Sequence, residues 1–267
     1  MKIRDVVNSW LSHTSWIVGR RTTAAQLTQF FSKLRPQATE HELLRIGSER
    51  DGGYLVPNDL EGITTLFSPG VDQTADFELY FANKGVECLM ADYSVDCPPI
   101  DHLNFKFVKK YLGTRNDDVF MTLQDWVEQS GKRGGDLILQ MDIERAEFGV
   151  LLHTDISTLR RFRIIVIEFH CLADIYHKLG YELIDHAFNK LLSEFIPVHI
   201  HPNNGGEPVK SKGFSVPPLV EITFLRKDRV KSHQPAVRFP HNLDRPCVPF
   251  KKDFDLPECW FKPNPRD

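Results

Sequence analysis

Four ionisable residues close two short apolar runs. Asp142 and Glu144 end Asp136-Leu-Ile-Leu-Gln-Met-Asp142-Ile-Glu144, and Glu168 and His170 end Arg163-Ile-Ile-Val-Ile-Glu168-Phe-His170. Carboxylates in such places could hold a cofactor amine, a divalent cation or a substrate proton. An imidazole can act as general base near neutral pH. Such chemistry requires the groups to converge, so the elements that carry them matter. Short apolar runs bounded by charge are expected to be strands buried on both faces. Residues 146–159 lie between them and carry Phe148, Val150, Leu151, Leu152, Ile156 and Leu159, the pattern of a crossover helix. Strand, helix and strand in that order predict a parallel pair. Ligands of open parallel sheets bind outside the carboxyl ends of the strands, where all four residues fall. Glu168 and His170 alternate along one strand and so share a face. Asp142, Glu168 and His170 together could form a hard-metal site completed by water. Glu147 is expected only to cap the following helix, at its positive end.

A second constellation precedes this one. Phe67-Ser-Pro-Gly-Val-Asp72 leads from a strand into a helix, and Asp92 ends the next strand. A Gly after the first strand lets backbone approach a ligand closely, and an acid ending the second is placed for ribose hydroxyls. The spacing from Gly70 to Asp92 suits that pairing. The loop has one Gly and a Pro, so a pyrophosphate cradle is poorly supported, and an adenosyl ligand without phosphates fits better. Further on, Val198-His-Ile-His-Pro-Asn-Asn204 places His199 and His201 on one strand face. They could clip a metal, whereas Asn203 and Asn204 could be turn residues or substrate contacts. His153, His177 and His186 fall on helical stretches and are expected at the surface or in the core.

The remaining elements supply the scaffold. Residues 1–40 predict two helices, 3–17 and 22–34, and residues 43–57 predict a hairpin about Asp51-Gly52-Gly53. Strands are expected at 63–67, 87–91, 105–108, 196–200 and 220–225, with helices at 76–84 and 123–130. Residues 173–194 are expected to form a helix, or a pair broken near Gly180. Residues 231–267 are rich in Pro and polar groups, and predict a tail wrapped on the body, because Phe239, Phe250, Phe254, Trp260 and Phe261 would otherwise meet water. The predicted fold is α/β, a Rossmann-like open and mostly parallel sheet with an antiparallel terminal strand pair and N-terminal helices. The expected organisation is a helical extension at 1–42, a main domain at 43–230 and a packed tail at 231–267.

Composition excludes several classes. A net charge of −3 gives no footprint for nucleic acid. Five cysteines, an odd number without a C-x-x-C pair, argue against a disulfide framework or a structural zinc site and suit a reducing, cytoplasmic compartment. No apolar run has the length of a transmembrane segment. Residues 1–21 have a basic start, but polar residues interrupt them too often for a signal peptide. A surface helix is expected there. Its apolar load (Trp10, Leu11, Trp16, Ile17, Val18) leaves an interfacial membrane helix or a homodimer contact as alternatives.

Several segments resemble the FkbM family of S-adenosylmethionine-dependent methyltransferases. They are Met141-Asp-Ile-Glu-Arg-Ala-Glu147, Val166-Ile-Glu-Phe-His170, Thr122-Leu-Gln-Asp-Trp126 and Val198-His-Ile-His-Pro-Asn-Asn204. Arg45-Ile-Gly47, Asp51-Gly-Gly-Tyr54 and Phe67-Ser-Pro-Gly-Val71 are similar to a variant among methyltransferase-like relatives. The match spans residues 43–226. Arg145 departs from the family's usual Gly, and Pro69 from a usual small residue. The resemblance implies a class I methyltransferase fold and O-methylation of a hydroxyl on a sugar or natural product. Carried over by position, Ser68, Pro69, Gly70 and Asp72 would face the methionine part of the cofactor. Asp92, with Tyr93 beside it, would meet the ribose, and Asp142 would lie near the sulfonium. His170 is the expected base, with Asp142 beside it in the catalytic centre. Should magnesium or another divalent ion take part, Asp142, Glu168, His170 and His201 are the expected ligands. Catechol O-methyltransferase, with magnesium at equivalent strand ends, is a fold-level analogy. Two other uses of the chain stay open: a binding or scaffold protein on a methyltransferase fold, and a nicotinamide-dependent oxidoreductase.

Overall fold

The computed structural model describes residues 19–71 and 73–263. The expected helix at 3–17 and the candidate Asp72 lie outside the described residues. In chain order the elements begin with α1 (Ala24–Lys33), β1 (Gln37–Thr39), β2 (Leu43–Gly47), β3 (Gly53–Pro57) and β4 (Ile63–Pro69). Next come α2 (Asp76–Ala82), β5 (Glu87–Ala91), β6 (Phe105–Val108), β7 (Tyr111–Gly113), β8 (Phe120–Thr122), α3 (Leu123–Gln129) and β9 (Asp136–Met141). Then follow α4 (Glu147–His153), α5 (Ile156–Leu159), β10 (Phe162–Phe169), α6 (Lys178–Glu194) and β11 (Phe195–Pro202). The chain closes with β12 (Val209–Ser211), β13 (Phe214–Val216), β14 (Val220–Arg226) and β15 (His233–Pro235).

Seven strands form one sheet in the order β11-β14-β10-β9-β4-β5-β6. From β10 to β6 all neighbours are parallel, and β14 runs antiparallel to both β10 and β11. The chain is thus a mixed α/β protein with a mostly parallel, Rossmann-like sheet, as the alternation of strand and helix patterns predicts. Every residue of β10 is buried, because both faces of the sheet are covered. One face packs against Trp126 of α3, Phe148 of α4 and Phe188 of α6. The other packs against the β2–β3 hairpin through Ile46, Tyr54 and Val56, and against α2 through Phe77 and Phe81. Helix α1 starts at a Thr23 capping box and buries Leu27, Phe30 and Phe31, with Phe30 edge-on to Phe188 and Phe31 against Trp260.

At the amino ends of β9 and β10 an ion-pair network binds the strands. Buried Arg163 reaches Asp136 at 2.7 Å and Asp59 at 3.3 Å. Arg226 reaches Asp136 at 2.9 Å, and Arg229 reaches Asp59 at 2.8 Å.

Three expectations change. Residues 146–159 are two helices: Thr154 leaves the helical backbone (ψ 130°) and the next helix starts after Asp155, also extended. The break in 173–194 lies at His177, after a 3-10 turn (Leu172–Tyr176), and not near Gly180. Gly180 sits inside α6, where a Cβ would come within 2.2 Å of the Asp174 carbonyl oxygen. In the tail, Trp260 and Phe261 are buried and Phe239 packs on the core, but Phe250 is 89% exposed. Strand β1 pairs with β15, which ties residues 37–39 to the tail, a pairing with no local signature. Among the described residues no helix is long and apolar enough to cross a membrane.

Candidate active site

The carboxyl ends of the strands carry a row of ionisable side chains. Register pairs Val166 with Gln140 and Ile167 with Met141, so Asp142 comes next to Glu168. Glu168 pairs with Glu221 on β14, and Glu221 pairs with His201 on β11. A cavity of about 370 Å³ opens beside this row, lined in part by Asp51, Tyr54, Gly70, Gln140, Asp142 and Cys247.

His170 is fixed from behind. Its Nδ1 lies 3.0 Å from Oε1 of Glu147, a side chain with no exposed surface. Nε2 then faces Asp142 Oδ1 at 3.8 Å and Glu144 Oε2 at 3.5 Å. If Nδ1 carries the proton donated to Glu147, Nε2 is left to accept one. Burial would lower the His170 pKa, but Glu147, Asp142 and Glu144 outweigh it and raise it. Burial pushes Asp142 up to about 7; His170 offsets part of this, while Asp51, Glu144 and Glu147 add to it. Asp142 and His170 are thus both shifted upward and face one another, the kind of pairing that acid–base catalysis uses. Glu147 does accept the Arg145 amide (3.1 Å), as a cap would, but it also orients the histidine, a role its sequence position did not signal.

Gly70 makes the crevice floor. Its φ is +93°, and a Cβ there would stand 1.7 Å from the Asp142 carbonyl oxygen, so only Gly fits between β4 and β9. Asp142 N–H donates to the Pro69 carbonyl (3.2 Å), and Gly70 N–H donates to Ala91 (2.9 Å). Asp92 accepts Val71 N–H on Oδ2 (3.1 Å), and the Ser94 amide and hydroxyl on Oδ1 (2.6 Å each). Asp92 is buried and is not among the residues that line the cavity.

Other expected residues take different places. The side chain of Ser68 is sealed under the floor, between Glu78 and Gln140, so it supports the crevice and does not line it. Gln140 in turn donates to the Tyr54 hydroxyl at 3.3 Å. Burial raises the pKa of Glu78 and holds that of Tyr54 well above its ordinary value. Tyr93 is at the surface, its ring 5.4 Å from that of Tyr111. Pro69 is buried in β4. The four expected metal ligands do not share one centre: Asp142 and His170 group with Glu144, Glu168 with Asp51 and Glu221, and His201 with Glu221 and Cys247. His199 and His201 do not clip a common ion either, because His199 pairs with Asp244 (2.9 Å) and His201 with Glu221 (2.9 Å). Asn203 is turned inward, donating to Glu168 (2.9 Å). Asn204 holds the tail at Val248, so the amides of both Asn residues bond within the protein. Arg145 is exposed with φ +85°, the backbone angle at which Gly is favoured.

Asp51, Glu221 and Cys247 escape sequence reasoning, since they reach the site from a hairpin tip, the antiparallel strand and the tail. No family model matches the chain, and no curated protein matches it.

Proposed function

We propose that the protein is an S-adenosylmethionine-dependent methyltransferase, of class I and similar to the FkbM family, acting on a hydroxyl of a sugar or other small molecule. The observation that carries this reading is the Glu147–His170–Asp142 group beside the Gly70 floor, at the carboxyl ends of β4, β9 and β10. The antiparallel terminal strand pair is the one the resemblance implies.

The residues fit the cofactor in charge and in shape. Gly70 permits close approach, and the carboxylate of Asp142 favours a cationic ligand. When bound, the cofactor would supply an electrophilic methyl group on a sulfonium. His170 Nε2 would accept the acceptor's hydroxyl proton as its oxygen becomes the nucleophile, and Glu147 would hold the imidazole in the tautomer that permits this. The hairpin and the tail would exclude water from one side of the crevice.

A nicotinamide-dependent oxidoreductase is disfavoured. The Gly70 and Val71 N–H groups are both spent inside the protein, and so are not offered to a pyrophosphate. A scaffold on the same fold differs in predicting binding without turnover.

Calorimetry with S-adenosylmethionine and S-adenosylhomocysteine tests the reading, followed by an acceptor screen with and without magnesium. The expected result is micromolar binding of both. His170→Ala should keep the binding and lower transfer roughly a hundredfold to ten-thousandfold. Absence of binding to either compound by a folded sample would overturn the assignment, and binding without turnover of any acceptor would favour the scaffold.

A further inference from the structure

On the far side of Glu168 the row ends in donors of a different kind. His201, Glu221 and Cys247 come from β11, β14 and the tail, and their exposures are 3%, 6% and 5%. His201 Nδ1 is 2.9 Å from Glu221 Oε2, and Cys247 Sγ is 3.2 Å from Glu221 Oε1. All three donor atoms lie within 4.8 Å of one another. Nitrogen, oxygen and sulfur donors at these separations can converge on one ion with bonds of about 2.0–2.3 Å. The other imidazole nitrogen, Nε2, faces Asp253 Oδ2 at 3.5 Å. A carboxylate there fixes the tautomer that leaves Nδ1 as a ligand, as is usual for metal-bound histidines.

Carboxylates crowd at the same place, with His201 between Glu221 and Asp253 as their basic partner. Glu168 and Glu221 stand directly opposite one another across β10 and β14, and Asp51 from the hairpin tip brings a third carboxylate within 4.8 Å. Like charges directly opposed in a sheet are destabilising, and buried charges persist when paired or bound to metal. Asn203 and His201 are the partners that the chain places on these two glutamates from the polar side chains of β11 and its following turn.

We propose that His201, Glu221 and Cys247 bind a zinc ion or a metal of similar softness, with Glu168, Asp51 or a water as the fourth ligand. The thiolate and imidazole donors select against magnesium. On binding, the Cys247 thiol would lose its proton to solvent. The ion would tie the tail to β11 and β14, and so fix the segment 247–250, which forms a wall of the crevice. This goes beyond the methyltransferase reading and stands without it.

Metal titration of the full chain tests it. The protein is stripped with chelator, its fold checked by circular dichroism, and Co²⁺ added as a spectroscopic probe, with Zn²⁺ as competitor. One equivalent of Co²⁺ should bind, give a sulfur-to-cobalt charge-transfer band and be displaced by Zn²⁺. Cys247→Ser should lose the band and His201→Gln should weaken affinity at least tenfold, whereas Cys97→Ser should leave both unchanged. Zn²⁺ should raise the melting temperature of the wild type. Failure of the folded wild type to bind either ion would overturn the proposal whatever the variants do. So would a band that persists in Cys247→Ser, or saturation of the same site by Mg²⁺ in competition with Co²⁺.

Discussion

The two ends of the same strands treat the same residue type in opposite ways. At the amino end, burial would raise Asp59 and Asp136, but the guanidiniums of Arg229, Arg163 and Arg226 outweigh it and lower both carboxyl pKa values. At the carboxyl end, burial and neighbouring carboxylates raise Asp142 to about 7 and hold Glu168 well above its ordinary value. One end is satisfied and binds strands together. The other stores unfavourable charge that a ligand, proton or metal can relieve, the pattern of a functional site. The aspartates at either end of β9, Asp136 and Asp142, differ because the first meets two arginines and the second meets a histidine and more acids.

Substitutions can break this comparison, beginning with the largest effect. Gly70→Ala forces a Cβ against the Asp142 backbone at a positive φ, and should cost about 5 kcal/mol or prevent folding, read by thermal melting. Normal stability would show that the crevice floor is not closely packed. Arg163→Ala removes the buried partner that Asp136 and Asp59 share and leaves each with one arginine at the structural end. It should lower stability by about 3 kcal/mol while the affinity for S-adenosylhomocysteine stays unchanged, and a matched loss of affinity would mean that the two ends are coupled.

Asp142→Asn should act in the opposite sense. Removing a buried, repelled carboxylate should stabilise the protein by about 1–2 kcal/mol at pH 8 in urea unfolding, and under the proposed function it should abolish methyl transfer. The linkage fixes the pH dependence. Asp142 is raised from an ordinary 3.8 to about 7, so its contribution to stability is present below the ordinary value and is lost as pH rises through about 7. Asp59 and Asp136 are lowered, so their contribution is present above 3.8 and is lost as pH falls through their folded values. Asp142→Asn should therefore flatten the decline between pH 4 and 7 and leave the acid limb intact, and an unchanged profile would refute the assignment. The smallest effect is expected from Arg145→Gly. Relief of a left-handed backbone should add about 0.5–1 kcal/mol, seen as a small rise in melting temperature, and no change would mean that Arg145 is held by other contacts.

Much of the scaffold was legible locally. The strands around Leu66, Leu89, Ile138, Ile165 and Phe224 announce themselves as apolar runs, and Thr122 does cap α3 by accepting the Asp125 amide (3.2 Å). Asp142 and His170 could be placed together because a parallel sheet sets strand ends side by side. Glu147 was misjudged because one position serves both as a helix-start acid and as a histidine partner, and only the fold shows the second role.

The sequence by itself determined the alternation of strands and helices and the placement of Asp142, Glu168 and His170 at neighbouring strand ends, since periodicity acts over a few residues; that only Gly fits at position 70 was decided by the Asp142 carbonyl, 72 positions on. The tertiary structure alone decided which carboxylates face arginine and which face one another. It also brought Cys247 to Glu221 and His201, 26 and 46 positions away. Electrostatic and ligand geometry depend on distance in space, and hydrogen-bond register across β10, β14 and β11 sets that distance, not separation along the chain.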